Sequence, residues 1–190
     1  MKLIRETAFC AIDFESAGAL RGATDEPVQI GWAGMTGTRI DPETFFMSYL
    51  RASCPIVWTA RKVHGITDAH LEGAPAMMDL WPRVRESLTG KIIVAHSSGT
   101  EKRFLRAFPF HGFGPWLDSL QLARRVIPGL GDYTLGGLVG RLALTDEVTR
   151  LCPGGRWHDA LFDAVASLVI VRHVVVTCGL EDHPVEALLG

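Results

Sequence analysis

The sequence predicts an α/β fold, a central mixed β-sheet flanked by helices, and three features of its order carry that reading. Strand-like segments open the chain, short apolar segments then alternate with helical periodicities, and a long apolar helix comes last. Residues 8–14, AFCAIDF, form an apolar run bounded by polar residues and read as a core strand. A second strand is expected at 28–34, VQIGWAG, and a third at 45–50. The GMTGTRIDPET between them is rich in Gly, Thr, Pro and Asp and reads as the turn of an antiparallel hairpin. After Pro55 a short helix is expected over 56–63, and Met77, Leu80, Trp81, Val84 and Leu88 fall at helical spacing within 74–88. A buried strand at 91–95, a helix over 100–108, a brief strand at 116–118 and helices over 120–126 and 134–141 continue the alternation. Residues 157–178 read as the long final helix.

With 190 residues, 47% hydrophobic and 21% charged, the chain can bury a substantial core as one domain over 1–190, its core at about 7–178. Met1 to Phe9 carries Lys2, Arg5 and Glu6 without a long apolar run, so no signal peptide is read and a cytoplasmic protein is expected. The apolar segment 164–171 ends at Arg172 and His173, well short of the roughly 20 residues of a membrane span. Cys10, Cys54, Cys152 and Cys178 form no CxxC pair, which argues against a zinc knuckle or a disulfide framework. A net charge of −2 excludes broad coating of duplex nucleic acid and allows only a small, local contact.

The acids are less ordinary. Within AIDFES, Asp13 and Glu15 are two apart, so a strand puts both carboxylates on one face of the sheet. Behind the apolar run Phe9 to Ile12 they lose hydration and repel each other, which calls for a proton or a metal ion; solvated acids on an edge strand are the alternative. In RWHDALFDAVASLVIV, Asp159 and Asp163 are four apart and share a helix face, while Leu161, Val165 and Leu168 mark an apolar side. His158 and Asp163 are roughly 140° apart around an ideal helix, so they converge only if His158 sits in an irregular first turn. The alternative makes Asp159 a partner of the helix dipole and His158 a surface residue. A further acid, Glu101, stands in IIVAHSSGTEKRFL beside Lys102, Arg103 and Arg106, where it either balances those cations or serves chemistry. Together, Asp13, Glu15, Glu101, Asp163 and His158 supply the carboxylates and imidazole of a two-metal site with a separate base. Hard oxygen ligands of this kind suit Mg²⁺ or Mn²⁺ rather than zinc.

In order and spacing the sequence resembles the DnaQ-like, or DEDDh, 3′-to-5′ exonucleases over about residues 7–175. The first motif appears as Asp13-Phe14-Glu15-Ser16-Ala17 and the third as His158-Asp159-Ala160-Leu161-Phe162-Asp163. VHGIT at 63–67, LDSLQLARRVIP at 117–128 and DYTLGGL at 132–138 are similar to weaker family signatures. In place of the family's AHNxxFD stands AHSSGTE: Ala95 and His96 match, Ser97 takes the Asn position, Thr100 the Phe position, and Glu101 the Asp position with one extra methylene. The resemblance implies a ribonuclease H-like three-layer fold. It implies that Asp13, Glu15, Glu101 and Asp163 hold two ions of Mg²⁺ or Mn²⁺, that His158 is the general base, and that nucleoside 5′-monophosphates leave a nucleic-acid 3′ end. Phe14, Ser16, Ala17, His64, Gly65 and His96 are the substrate-contact positions it implies.

Single-stranded DNA is the expected substrate. The acids do not separate DNA from RNA, because that discrimination rests on the 2′-OH, so RNA 3′ ends are one alternative; a non-catalytic nucleic-acid-binding subunit and an interaction protein with surface acids are others. The short remainder after the final helix favours a stand-alone enzyme, with a polymerase or a second copy left open as partner. Asp118 is expected to N-cap a helix. Arg103, Arg106, Arg124 and Arg125 are either solvated or phosphate contacts, and Trp32, Trp58, Trp81, Trp116 and Trp157 are expected in the core.

Overall fold

The computed structural model describes residues 2–19 and 24–189. A 3-10 turn at Ile4–Glu6 leads into three antiparallel strands, β1 (Ala8–Ser16), β2 (Pro27–Thr36) and β3 (Arg39–Tyr49). The short helices α1 (Trp58–His64) and α2 (Asp68–Leu71) follow, then α3 (Trp81–Leu88), β4 (Ile92–Ala95), α4 (Gly99–Leu105) and β5 (Trp116–Asp118). Helices α5 (Ser119–Val126), α6 (Leu135–Arg141), α7 (Thr145–Leu151), α8 (Ala160–Thr177) and α9 (Glu186–Leu189) complete the described chain. The strands form one sheet in the order β3-β2-β1-β4-β5, with β4 and β5 parallel to β1, so the predicted mixed sheet is present and the acidic strand lies at its centre.

Side-chain alternation along β1 divides the core between two faces. Phe9 and Ala11 join Ala33, Met35, Val94 and Leu117 under α5 to α8. Cys10, Ile12 and Phe14 join Ile30, Trp32 and Ile93 under Val84 and Leu88 of α3 and Phe104 and Leu105 of α4. By the same alternation Asp13 and Glu15 belong to the α8 face. By length and composition α8 could cross a membrane, yet 72% of it is buried within the protein. It is the hub on which β1, β2, α5, α6 and α7 pack, and each Val, Leu or Ile it covers contributes about 1.5–3 kcal/mol.

Several boundaries differ from expectation for identifiable reasons. The segment expected as a long turn is mostly strand: β2 and β3 pair as far as Thr36 and Arg39, leaving only Gly37 and Thr38 as the turn. Pro42 is tolerated because β3 is an edge strand. Thr44 Oγ1 accepts a bond from the Gly34 N–H at 2.7 Å where the register shifts, so a hydroxyl replaces a ladder carbonyl. Residues 74–88 split into a 3-10 turn, Met77–Leu80, and α3, with Pro82 near the N-terminus of α3, where its missing N–H costs nothing. Helix α7 buries Val148 within it, too little periodicity to be read from sequence. Helix α8 starts at Ala160, because Asp159 is its N-cap rather than part of its first turn. Trp58, expected in the core, is 72% exposed.

One close contact sets the depth at which α8 sits. Gly31 of β2 pairs with Asp13, and a Cβ added at Gly31 would lie 2.2 Å from the Leu161 nitrogen and 2.4 Å from the Ala160 carbonyl carbon. Any side chain there must push the first turn of α8 off the sheet. Gly31→Ala is therefore expected to destabilise the fold by roughly 1–3 kcal/mol, the usual cost of overpacking, or about 2–4 °C of melting temperature per kcal/mol. An unchanged thermal melt would show that the helix is free to sit elsewhere.

Candidate active site

The strand acids and the helix acid are brought together by polar contacts at that same place. Glu15 pairs across the ladder with Gln29, which is buried among apolar neighbours. Gln29 Oε1 accepts from the Ala160 N–H at 2.9 Å, and Gln29 Nε2 donates to Asp159 Oδ2 at 3.2 Å. Asp159 Oδ1 accepts from the N–H groups of Leu161 and Phe162, the usual N-cap arrangement. Asp159 is therefore the lock on the helix start, and Asp163, one turn further, faces the strand acids. Sequence reasoning missed Gln29; the signal for it was a lone amide inside an apolar strand.

His158 does occupy an irregular turn. Its φ of 63° is left-handed, rare for a non-glycine residue, and its N–H donates to Asp163 Oδ2 at 3.2 Å. This turn brings the exposed imidazole beside the acids: among the described residues, Glu15, His158 and Asp163 offer ligand atoms that all lie within 4.8 Å of one another.

Glu101 arrives from the opposite side, at the start of α4. The turn before it is pinned by Asp118, whose carboxylate caps α5 through the Leu120 and Gln121 N–H groups and also accepts from Ser97 N–H at 3.1 Å and Ser98 N–H at 2.9 Å. Burial raises the Asp118 carboxyl, but the N–H groups of Ser98, Ser97 and Gln121 and the Ser98 hydroxyl outweigh it, so its pKa is lowered and it stays ionised. Ser97, at the family's Asn position, has φ 65°, a conformation that Asn adopts at less cost than Ser. Glu101 itself is 4% exposed, and its Oε2 has no hydrogen-bond partner. Its sequence neighbours are engaged elsewhere: Arg103 bonds Asp25 at 2.8 Å, and Lys102 lies over the Trp116 ring at 5.1 Å. Among the described residues, no ion pair engages Glu101.

The acids pay electrostatically for meeting. Burial, then the charges of Glu101, Asp163 and Glu15, hold Asp13 well above the usual carboxylate range. Burial, then Asp163, Asp159 and Glu101, push Glu15 up to about 8. Burial pushes Glu101 to about 7 against its own N–H and the Arg103 and Lys102 charges. Burial pushes Asp163 to about 7 despite its bond from His158. Asp163 Oδ1, like Glu101 Oε2, is buried without a partner. Crowded carboxylates with unpartnered buried oxygens suit hard divalent cations, which take oxygen ligands. The residues present therefore fit the metals expected from the sequence.

The expected substrate contacts fare unevenly. The Ile66 N–H donates to His64 Nδ1 at 2.9 Å, so Nε2 carries the ring proton and donates to the Ser16 carbonyl at 3.1 Å; buried His64 braces the end of β1 and has no ring nitrogen left for a ligand. His96 is likewise committed: Nε2 donates to the Tyr133 carbonyl at 2.9 Å, and Nδ1 accepts from the Ser119 hydroxyl at 3.0 Å. Phe14 points into the opposite core, edge-on to Phe104 at 5.4 Å. These three act in positioning. Ser16 and the buried Ala17 lie just beyond Glu15, and Gly65, at φ 72°, ends α1 against Arg156, which donates to the His64 carbonyl at 3.1 Å. Of the candidate phosphate arginines, Arg103 is paired as above, Arg125 donates to the carbonyls of Ala187 and Leu188, and Arg124 lies over Tyr133.

Comparison with known proteins gives a consistent picture. A family model described as Exonuclease matches residues 10–171. The DNA polymerase III PolC-type protein of Thermotoga maritima is 30% identical over 175 residues, which cover 89% of this chain and 12% of that protein. Exodeoxyribonuclease 10 of Escherichia coli is 29% identical over 180 residues, covering 94% of this chain and 74% of that protein. The chain thus spans only 12% to 22% of the length of several relatives it matches. Among solved structures, exonuclease X in complex with 5′-overhanging duplex DNA superposes with a TM-score of 0.74 at 24% identity, covering 96% of this chain and 99% of that one. The nuclease domain of 3′hExo, described as a DEDDh family member bound to rAMP, superposes at 0.73 with 16% identity over 94% and 96% of the two chains. At these identities the likeness establishes the fold.

The raised carboxylates fix a pH dependence. Folded protein keeps protons that the unfolded chain releases near pH 4, so stability is full below that range and falls as pH rises towards about 7 for Glu101 and Asp163 and about 8 for Glu15. Melts of metal-free protein between pH 5 and pH 8 are expected to show a falling melting temperature. Added Mn²⁺ should reverse the fall, most strongly at the alkaline end, where the ligands are freed of protons. A melting temperature indifferent to both pH and Mn²⁺ would refute the coupled site.

Proposed function

The chain belongs to the exonuclease family, as a DnaQ-like (DEDDh) member with the ribonuclease H-like fold, and from that premise we propose that it cleaves the terminal phosphodiester at a nucleic-acid 3′ end, releasing nucleoside 5′-monophosphates, with single-stranded DNA as substrate. One observation carries the reading: four crowded carboxylates, two of them with unpartnered buried oxygens, meet an exposed imidazole. A non-catalytic subunit has no need to keep that arrangement. The Exodeoxyribonuclease name of one relative supports DNA, and the polymerase names of others are consistent with a polymerase working beside it.

Asp13, Glu15, Glu101 and Asp163 would hold two divalent ions, Mg²⁺ or Mn²⁺. Bound there, such ions supply Lewis-acid stabilisation of the reacting phosphate and ease the ionisation of water. The chain's own part is positioning and proton transfer. His158 takes the proton of the attacking water; its backbone N–H bond to Asp163 keeps the ring near Glu15 and Asp163, and its exposure lets the proton pass to solvent. Asp118, His96 and Gln29 act through the residues they orient.

Digestion of 5′-labelled single-stranded DNA and matched RNA with Mg²⁺ or Mn²⁺ tests the proposal. A ladder shortened from the 3′ end, stronger on DNA and lost in Asp13→Ala, is expected; no ladder on either substrate would end it. Glu101→Gln should cut the rate by orders of magnitude while melting no lower than wild type, because it removes a buried charge, whereas Glu101→Asp should keep much of the activity. Wild-type turnover by Glu101→Gln would place the second ligand elsewhere.

A further inference from the structure

Trp58 is the feature of this surface that the catalytic scheme does not use. It is 72% exposed, whereas Trp32 is buried in the core beneath α3 and α4. An indole left in water on a short helix is informative in a way that a scattered exposed Leu is not.

The helix that carries it is bolted to the active site. The Val57 N–H, at the N-cap of α1, donates to the Ala17 carbonyl at 2.8 Å, and His64, at the other end of α1, bonds the Ser16 carbonyl. The fit is tight: a Cβ at Gly18 would lie 2.4 Å from Val57 Cγ2. So α1, about 10 Å long at 1.5 Å per residue, is held rigidly against the residues that follow Glu15.

The exposed side of α1 is also basic. Arg61 and Lys62 are exposed, the first turn carries no acid, and Arg156 lies against the helix end. Among the described residues, none of the ion pairs uses Arg61, Lys62 or Arg156. Lys62 Nζ lies 5.3 Å from the centre of the Trp58 ring, which holds the indole through a cation–π contact while most of its surface stays in water. A rigid aromatic plane flanked by unpaired cations beside a phosphodiester-cutting site matches the chemistry of single-stranded nucleic acid: a π-face for a base and positive charge for its phosphates.

We propose that the exposed face of α1 is the platform for the strand entering the active site, with Trp58 stacking on a base upstream of the scissile bond and Arg61 and Lys62 contacting the adjoining phosphates. The proposal rests on the reading of the chain as a 3′-end exonuclease, and it adds a binding determinant that acts on the chain upstream of the terminal nucleotide. Stacking of this kind changes affinity by roughly 5- to 150-fold per base.

Two measurements separate this proposal from the reading beneath it. The first is the anisotropy of a fluorescein-labelled oligothymidylate, titrated with Asp13→Ala protein with and without Trp58→Ala. Dissociation constants about 5- to 150-fold weaker with Trp58→Ala, largely restored by Trp58→Phe, are expected; equal constants would overturn the platform whether or not the protein is a nuclease. The second compares oligothymidylate hydrolysis with that of the p-nitrophenyl ester of thymidine 5′-monophosphate, which has no upstream base. Trp58→Ala should collapse the preference for the oligomer, seen mainly in KM. A parallel loss on both substrates, or no loss on either, would mean that Trp58 acts structurally or not at all. Hydrolysis of neither substrate by wild type would refute the nuclease reading, and the anisotropy titration would still decide the platform.

Discussion

The site depends on how closely the first turn of α8 can approach the sheet. At Gly31 no side chain stands between β2 and the helix backbone, and at Gln29 one amide bonds both the Asp159 cap and the Ala160 N–H. These two residues are the ladder partners of Asp13 and Glu15. The contacts that seat the helix are therefore the ones that set the spacing between the strand acids and Asp163. Packing and chemistry are solved by the same pair of positions, and a bulkier residue at either would disturb both.

Bringing the acids together makes the metal-free fold work against itself. Protonated carboxylates are favoured at each position, and buried oxygens of Glu101 and Asp163 find no partner. Left-handed backbone at Ser97 and His158 adds a local cost of about 1–2 kcal/mol each for non-glycine residues. Such costs persist only where the surroundings fix the geometry. Here the surroundings are the apolar bulk of α8 on one side and the pinned turn on the other, where Asp118 holds Ser97 and Ser98 and His96 ties Ser119 to Tyr133. Two of the four left-handed non-glycine residues among the described ones, Ser97 and His158, thus stand in the turns that bring Glu101 and Asp163 to the central strand, while Phe110 and Ala143 carry the same conformation elsewhere.

The parts of this arrangement legible in the sequence were those encoded by periodicity. A strand period of two put Asp13 and Glu15 on one face, and the five-residue spacing of His158 and Asp163 let them converge only through an irregular helix start, which the left-handed turn supplies. What escaped was whatever depends on a partner distant in sequence. Nothing near Gln29 announces Ala160, 131 residues away. His64 and His96 were expected as substrate contacts from the family resemblance, and only the Ser16, Ile66, Ser119 and Tyr133 groups around them show that both rings are engaged within the protein. The hairpin was mistaken for a long turn because Pro and Thr suggest loops, whereas an edge strand accepts both. Trp58 failed in the other direction, since composition assigns indoles to the core and exposure is a tertiary fact.

Glu101 shows why charges adjacent in sequence need not neutralise one another. On a helix, residues one and two positions on face away from it, and Lys102 and Arg103 accordingly find Trp116 and Asp25. The residue that shares a face with Thr100 is Phe104, one turn later, and it packs edge-on against Phe14. An aromatic anchor thus exists one turn beyond the position where the family pattern places its Phe, and it ties α4 to the strand that carries Asp13. With the helix held from there and its preceding turn held by Asp118, the longer glutamate has a fixed base from which to reach the acid cluster. Glutamate stands where the family pattern has Asp, and Thr where it has Phe, yet a buried, unpaired carboxylate still lies within electrostatic reach of Asp13, so the charge is placed there although the residue type differs.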